Sequence, residues 1–253
     1  MIWRVQNQLL ATYVGLRWLI AGIAFGLPAI LGVGGIIAGL GLQGSLSDYY
    51  WAAPGFVAFC CNWQQHAACP PIIPAGTFRN VSVALLATEG MLLYLYKGYS
   101  RRENYALNVA GALAIGIAFI PDPLTCAPRS FPVHDWLAYG FFGCLAFVCE
   151  FCAKDTLVLV RNEKVQARYA IAYRAFAILL VVLSTLVHFL NGNSSTYWEE
   201  FAAIYVFGAY WLTKSIELTS TKAEQLALSG EMDRDNRVSE RRLEGDANVD
   251  TPI

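Results

Sequence analysis

The chain has 253 residues and little charge: Asp, Glu, Lys and Arg make up 15% of it, against about 25% in an average soluble domain. Hydrophobic residues supply 56%, against the usual 45 to 50% or so, and the charges crowd into short stretches. A net charge of −1 with no concentrated basic surface excludes nucleic acid as a partner, because phosphate binding needs clustered cations. Histidine is scarce, with only His66, His134 and His188, and no His-x-x-x-His pair occurs. Phosphate-loop, nucleophile-elbow and haem-attachment patterns are missing as well, so no cofactor and no metal is assigned.

What is present is apolar sequence in long runs. Six segments, with their aromatic flanks, are able to cross about 30 Å of hydrocarbon at about 1.5 Å per residue. Their cores lie near Trp18 to Leu42, Val81 to Tyr96, Tyr105 to Ile120, Trp136 to Phe151, Ala170 to Leu190 and Phe201 to Leu212. The last is short and calls on Trp198 and Trp211 as interfacial anchors. The expected fold is all-α, a polytopic transmembrane helix bundle of six spans.

Basic residues set the orientation. Arg4 and Arg17 precede the first span; Lys97, Arg101 and Arg102 follow the second; Lys154, Arg161, Lys164 and Arg168 follow the fourth; Lys214 opens the tail. Only Arg79 and Arg129 fall in the alternate loops, so the positive-inside rule puts both termini in the cytoplasm. Residues 1–17 read as a cytoplasmic or interfacial segment rather than a cleaved signal, because the apolar run after them is too long for one. Residues 18–217 form the membrane domain, with an extracytoplasmic loop at 44–80. Residues 218–253 are polar and of mixed charge, which predicts a disordered cytoplasmic tail.

The order Ser-x-Ser-x-Tyr-Tyr, an Arg at a span entrance, Tyr-Lys-Gly-Tyr, a loop His and Phe-Gly-x-x-Trp-Leu-x-Lys is carried here by Ser45, Ser47, Tyr49, Tyr50, Arg79, Tyr96, Gly98, Tyr99, His134, Trp211 and Lys214. Asn108, Gly111, Pro121 and Glu199 fall in step with it. The pattern resembles a family of bacterial six-span inner-membrane proteins of unassigned function. The resemblance implies multi-pass insertion in a bacterial inner (plasma) membrane, and it implies no activity. Residues 51–78 stand between the Tyr pair and Arg79 where the family has only a few residues, and Asn80 stands where it has Asp.

Candidate sites come from polar residues at span ends. Ser47, Asp48, Tyr49, Tyr50, Arg79, Asp122, His134, His188 and Glu199 all lie on the expected outer side, where a compact bundle lets them share one pocket. In it Arg79 would neutralise Asp48 or an anionic lipid headgroup, while the rings cover the acyl boundary. Asn80, Asp135, Asn191 and Glu200 belong to the same outer set, and ordinary loop polarity accounts for all of them equally. Ser184 and His188, four apart, share a helix face and offer part of a metal-dependent hydrolase site. Within the spans Glu89 is the informative residue, since a charge there costs about 2.5 kcal/mol or more and calls for a partner or a proton. Ser82 and Tyr96, seven residues either side, fall on the same face, and Asn108 lies on the next span. Gly35-x-x-x-Gly39 and the Ala110/Ala114 and Ala112/Gly116 pairs suit close helix packing.

Cys60, Cys61, Cys69 and Cys126 fall in outer loops, where disulfides persist, and are expected to staple them. A metal cluster of Cys60, Cys61, His66 and Cys69 is the alternative. Cys144, Cys149 and Cys152 read as packing surface in span four. Three functions fit: a module binding membrane lipids, another membrane subunit or a second copy of itself; a proton- or cation-coupled small-solute carrier using Glu89; and a metal-dependent lipid hydrolase with an outer Ser/Asp/His site. The first asks least of the residues.

Overall fold

The computed structural model describes residues 2–52, 76–121, 133–186 and 195–223. Six α-helices make up almost all of these: α1 (Ile2–Ile37), α2 (Thr77–Leu95), α3 (Arg101–Phe119), α4 (Val133–Phe147), α5 (Glu163–Leu186) and α6 (Ser195–Thr221). They pack in a closed ring in chain order, each against the next and α6 back against α1. Three stretches are long and apolar enough to cross a membrane, Gln8–Ile37, Val133–Leu159 and Glu163–Thr185. Large apolar side chains face outward on several helices, Ile37, Ile171, Ile178 and Phe119 among them, as expected of a bundle with an apolar solvent around it.

The first helix differs at both ends from its expected span. It starts at Ile2 and runs unbroken past residue 17 and through Pro28, so no separate interfacial helix precedes it. It stops at Ile37 rather than near Leu42, because Gly39 and Gly41 adopt positive φ (76° and 69°) that glycine alone takes up without strain. Gly35 serves a side chain: the Tyr49 ring lies where a Cβ would sit. The α2 and α3 backbones approach closely: a Cβ on Gly90 would meet the Gly111 carbonyl oxygen at 2.6 Å, and one on Gly111 would come closer still to that of Gly90. Ala110 and Ala114 are fully buried on the same α3 face.

Beyond α4 the helix widens into a π-turn, Val148–Cys152, and then tightens into a 3-10 segment, Ala153–Leu159. Cys149 and Cys152 are free and buried there, as packing surface should be. This irregular backbone is clamped by a polar cluster. Lys214 Nζ donates to the Ala153 carbonyl (2.9 Å), Thr156 Oγ1 (2.6 Å) and Glu217 Oε2 (3.0 Å). Glu217 also accepts from Thr156 (2.5 Å) and Tyr173. Lys214 and Glu217 are buried, so Lys214 opens no tail: α6 continues to Thr221. Arg17 is buried as well, and Trp211 is a core side chain set edge-on to Tyr96 rather than an interfacial anchor. Glu150 ion-pairs with Lys154 and Arg174 on the surface.

Candidate functional site: a cavity with an acidic mouth

One end of the bundle gathers the last turn of α1, the first half of α2, the end of α3, the first half of α4, the end of α5 and the start of α6. A cavity of about 590 Å³ opens there, lined by residues of all six helices. Its volume lies within the range of about 300 to 1,000 Å³ typical of small-molecule sites. The walls are apolar, with Leu27, Leu31, Leu86, Phe141 and Phe207 among them. Polar groups enter from the segment after α1 (Ser45, Ser47, Asp48 and Tyr50), from α4 (His134, Asp135 and Tyr139), from α6 (Thr196, Glu199 and Glu200), from α5 (Ser184), and along α2 (Ser82 and Glu89).

The segment between α1 and α2 is folded against this mouth by its own polar residues. Asp48 N–H donates to Ser45 Oγ and Ser45 N–H donates to Asp48 Oδ2, both at 3.0 Å, a reciprocal closure of the turn Ser47–Tyr50. Burial holds the Asp48 carboxyl above its ordinary value of 3.8, against the hydrogen bonds from Ser45 that pull it down. Two bonds fix the turn to the start of α6: Leu46 N–H donates to Glu200 Oε2 (2.6 Å), and Tyr197 N–H, an otherwise unsatisfied donor of the first helical turn, donates to the Gly44 carbonyl (2.9 Å). Tyr49 is fully buried among Leu27, Leu31, Leu46 and Tyr197, so it is a core residue and not a surface anchor.

Ser47 and His134 meet at the cavity, Oγ to Nε2 2.9 Å. The other ring nitrogen of His134 lies 2.6 Å from the Ile120 carbonyl. A carbonyl oxygen only accepts, so the proton sits on Nδ1 and a neutral ring leaves Nε2 to accept from the serine hydroxyl. Both belong to the outer set expected to share one pocket, but nothing in their spacing, 87 positions apart, marked them as a pair.

Glu89 lies on the cavity wall with 3% of its surface exposed, and neither carboxyl oxygen has a hydrogen-bond partner. Ser82 and Leu86 line the cavity from the same α2 face. Tyr96, the third member of the expected stripe, is buried beyond it, edge-on to Tyr13 and Trp211. With its amide nitrogen turned towards them, Asn108 donates to the Tyr94 (2.8 Å) and Asn104 (3.3 Å) carbonyls and serves the α2–α3 contact. Glu199 is buried on α6, and its Oε2 also has no partner.

The expected pairing of Arg79 with Asp48 is not made. The Arg79 guanidinium stands 5.6 Å over the Tyr50 ring, and Asp48 turns to Ser45. Among the described residues the cavity lining holds five carboxyl groups and no Lys or Arg. An anionic headgroup would find no lysine or arginine within that described lining, and Arg79 stands outside it. Asp122, His188, His66, Cys60, Cys61, Cys69 and Cys126 lie outside the described residues. Among those described, no group of three His, Cys, Asp or Glu side chains is placed to share a metal ion. Compared with known protein families, characterised proteins and solved structures, the chain matches none, and any function has to be argued from this cavity.

Proposed function

We propose that the protein is a six-span membrane module, both termini in the cytoplasm, that holds a membrane amphiphile in the cavity, its apolar part against the walls and its head against the polar side chains among them. The observation that carries the reading is the make-up of the cavity itself: apolar walls from every helix with a small set of polar groups set among them, most of them near the helix ends. Charge placement supports the orientation, since Lys97, Arg101, Arg102, Arg161 and Lys164 lie at the opposite end of the bundle and Arg79 at the cavity end. A carrier would need a path onward from Glu89, and the buried Tyr96–Trp211 contact occupies the next step of that face.

Native mass spectrometry of the protein released from mild detergent tests the reading. One amphiphile should remain bound to the wild type and be lost from Ala138→Trp, which fills the cavity from α4. Identical bound species in both would refute occupancy of the cavity.

The Ser47–His134 hydrogen bond favours a second reading, ester hydrolysis without a metal. Ser47 Oγ would bond to the carbonyl carbon and pass its proton to His134 Nε2. The departing alcohol would take that proton, and water would then release the acid and restore Ser47. Wild-type protein should be labelled by an alkyl fluorophosphonate and Ser47→Ala should not; equal labelling of the two excludes the reading.

A further inference from the structure

We infer that the amphiphile carries an amine, and that Glu89 anchors it as an ammonium–carboxylate pair. This rests on the reading of the cavity as an amphiphile site and adds the chemistry of the head. Glu89 is almost fully buried, lines the cavity, and leaves both carboxyl oxygens without a partner. Buried polar groups are ordinarily satisfied, and an intramembrane carboxyl without a protein partner marks a place where something else supplies one. Glu199 repeats the pattern from α6: buried, on the same cavity, with Oε2 unpartnered.

The sign of the missing partner follows from the lining. Asp48, Asp135 and Glu200 complete a set of five carboxyl groups, with His134 the only basic side chain among the described lining residues. A phosphate, sulfate or carboxylate head would meet like charge with no lysine or arginine in the described lining, while Arg79 stands outside that lining, over the Tyr50 ring. A metal ion fits no better, because the described residues place no three carboxyl, thiol or imidazole groups around a point and the walls beside Glu89 are hydrocarbon. An alkylammonium suits both features, since its N–H donors satisfy the carboxylate while its chain covers Leu86 and Phe207. Proton balance is simple: a ligand that arrives as ammonium meets the carboxylate, and one that arrives as free amine takes the proton of the carboxylic acid. The bound pair is the same. Aromatic rings of Phe141 and Phe142 line the same walls and are compatible with a cation.

The test compares dodecylamine with dodecanol, matched in chain and different in head, on protein in lipid nanodiscs by native mass spectrometry. The wild type should bind the amine at least about tenfold more tightly than the alcohol, as a charge-assisted hydrogen bond to a buried group requires. Glu89→Gln, nearly isosteric, should bring the ratio close to one, and its helical circular dichroism spectrum, matched to the wild type, shows that the variant is folded. Equal affinities in the wild type, or a preference that survives in Glu89→Gln, overturn the assignment and leave the amphiphile reading standing. Failure of both probes to bind the wild type overturns the two together.

Discussion

Asp48 is drawn towards opposite protonation states by its burial and by its hydrogen bonds. Burial favours the neutral acid, while the amide of Ser45 and the hydroxyl behind it favour the anion, and burial is the larger effect. A carboxyl raised above its unfolded value contributes stability that is fully present below that value and is lost as pH rises through the folded one. The thermal midpoint of the wild type, measured against Asp48→Asn by tryptophan fluorescence, should therefore rise on going from pH 7 to pH 4. Asparagine keeps an acceptor for the Ser45 amide and carries no titrating group, so the comparison isolates this residue; a gap that is flat or falls on acidification contradicts the burial account. Lys214 shows the opposite economy. Its ammonium is buried with three acceptors, and removing it by Lys214→Met strands Glu217 against Thr156 and Tyr173. Breaking such a pair from one side costs about 3 to 5 kcal/mol, and neutralising the partner with Glu217→Gln should return part of it. Denaturant midpoints of the single and double variants measure the difference. Lysine near the end of an apolar run reads as the start of a tail, and no local feature of the sequence announces that its partner is three residues on and its other acceptors about sixty residues back.

At the level of helices, legibility followed hydropathy where lipid or core decides the residue and failed where polar groups pair inside. The α2 to α5 ranges lie close to the expected cores because apolar length needs no partner to be read. The sixth was foreshortened because Glu199, Glu200, Lys214 and Glu217 interrupt its apolar run, although α6 spans 27 residues and buries three of those four. Small residues misled in a different way. Gly35 and Gly39 carry the familiar spacing, yet Gly39 lies beyond the helix and Gly35 makes room for Tyr49, whereas the true close crossing pairs Gly90 with Gly111 from two helices. A motif within one helix is visible in the sequence; a match between two is a property of the fold. Gly90→Ala should push α2 from α3 and cost about 1 to 3 kcal/mol, as overpacked contacts do. Gly22→Ala, with nothing within 4 Å of the added carbon, should be neutral or gain up to about 1 kcal/mol from helix propensity. A thermal midpoint of Gly90→Ala at or above that of Gly22→Ala contradicts the crossing.

In the whole molecule, six helices in a ring with alternating direction bring every second connection to the same end, and this geometry creates the cavity. Ser47, Asp48, Tyr50, His134, Asp135, Glu199 and Glu200 were legible as part of one set because each stands beside a helix end; that these line a space, and that Glu89 faces it from within α2, follows from the ring. Orientation rests on charge alone, and the burial of Arg17 and Lys214 removes two of the residues that set it. The remaining cations still divide by end: Lys97, Arg101, Arg102, Lys154, Arg161, Lys164 and Arg168 cluster between α2 and α3 and between α4 and α5, while Arg79 stands at the mouth. The bias counts basic residues close to span ends, as these are, so the loss of two leaves its direction unchanged. A membrane-impermeant maleimide applied to intact cells should accordingly label Leu42→Cys, which is exposed at the cavity end, and should label Arg101→Cys and Lys164→Cys only after the cells are opened. Labelling of position 101 or 164 in intact cells, with position 42 protected, would invert the molecule and turn the acidic mouth to the cytoplasm. The cavity and its preference for an amine would survive that result, but the amphiphile would then have to enter from the inner leaflet.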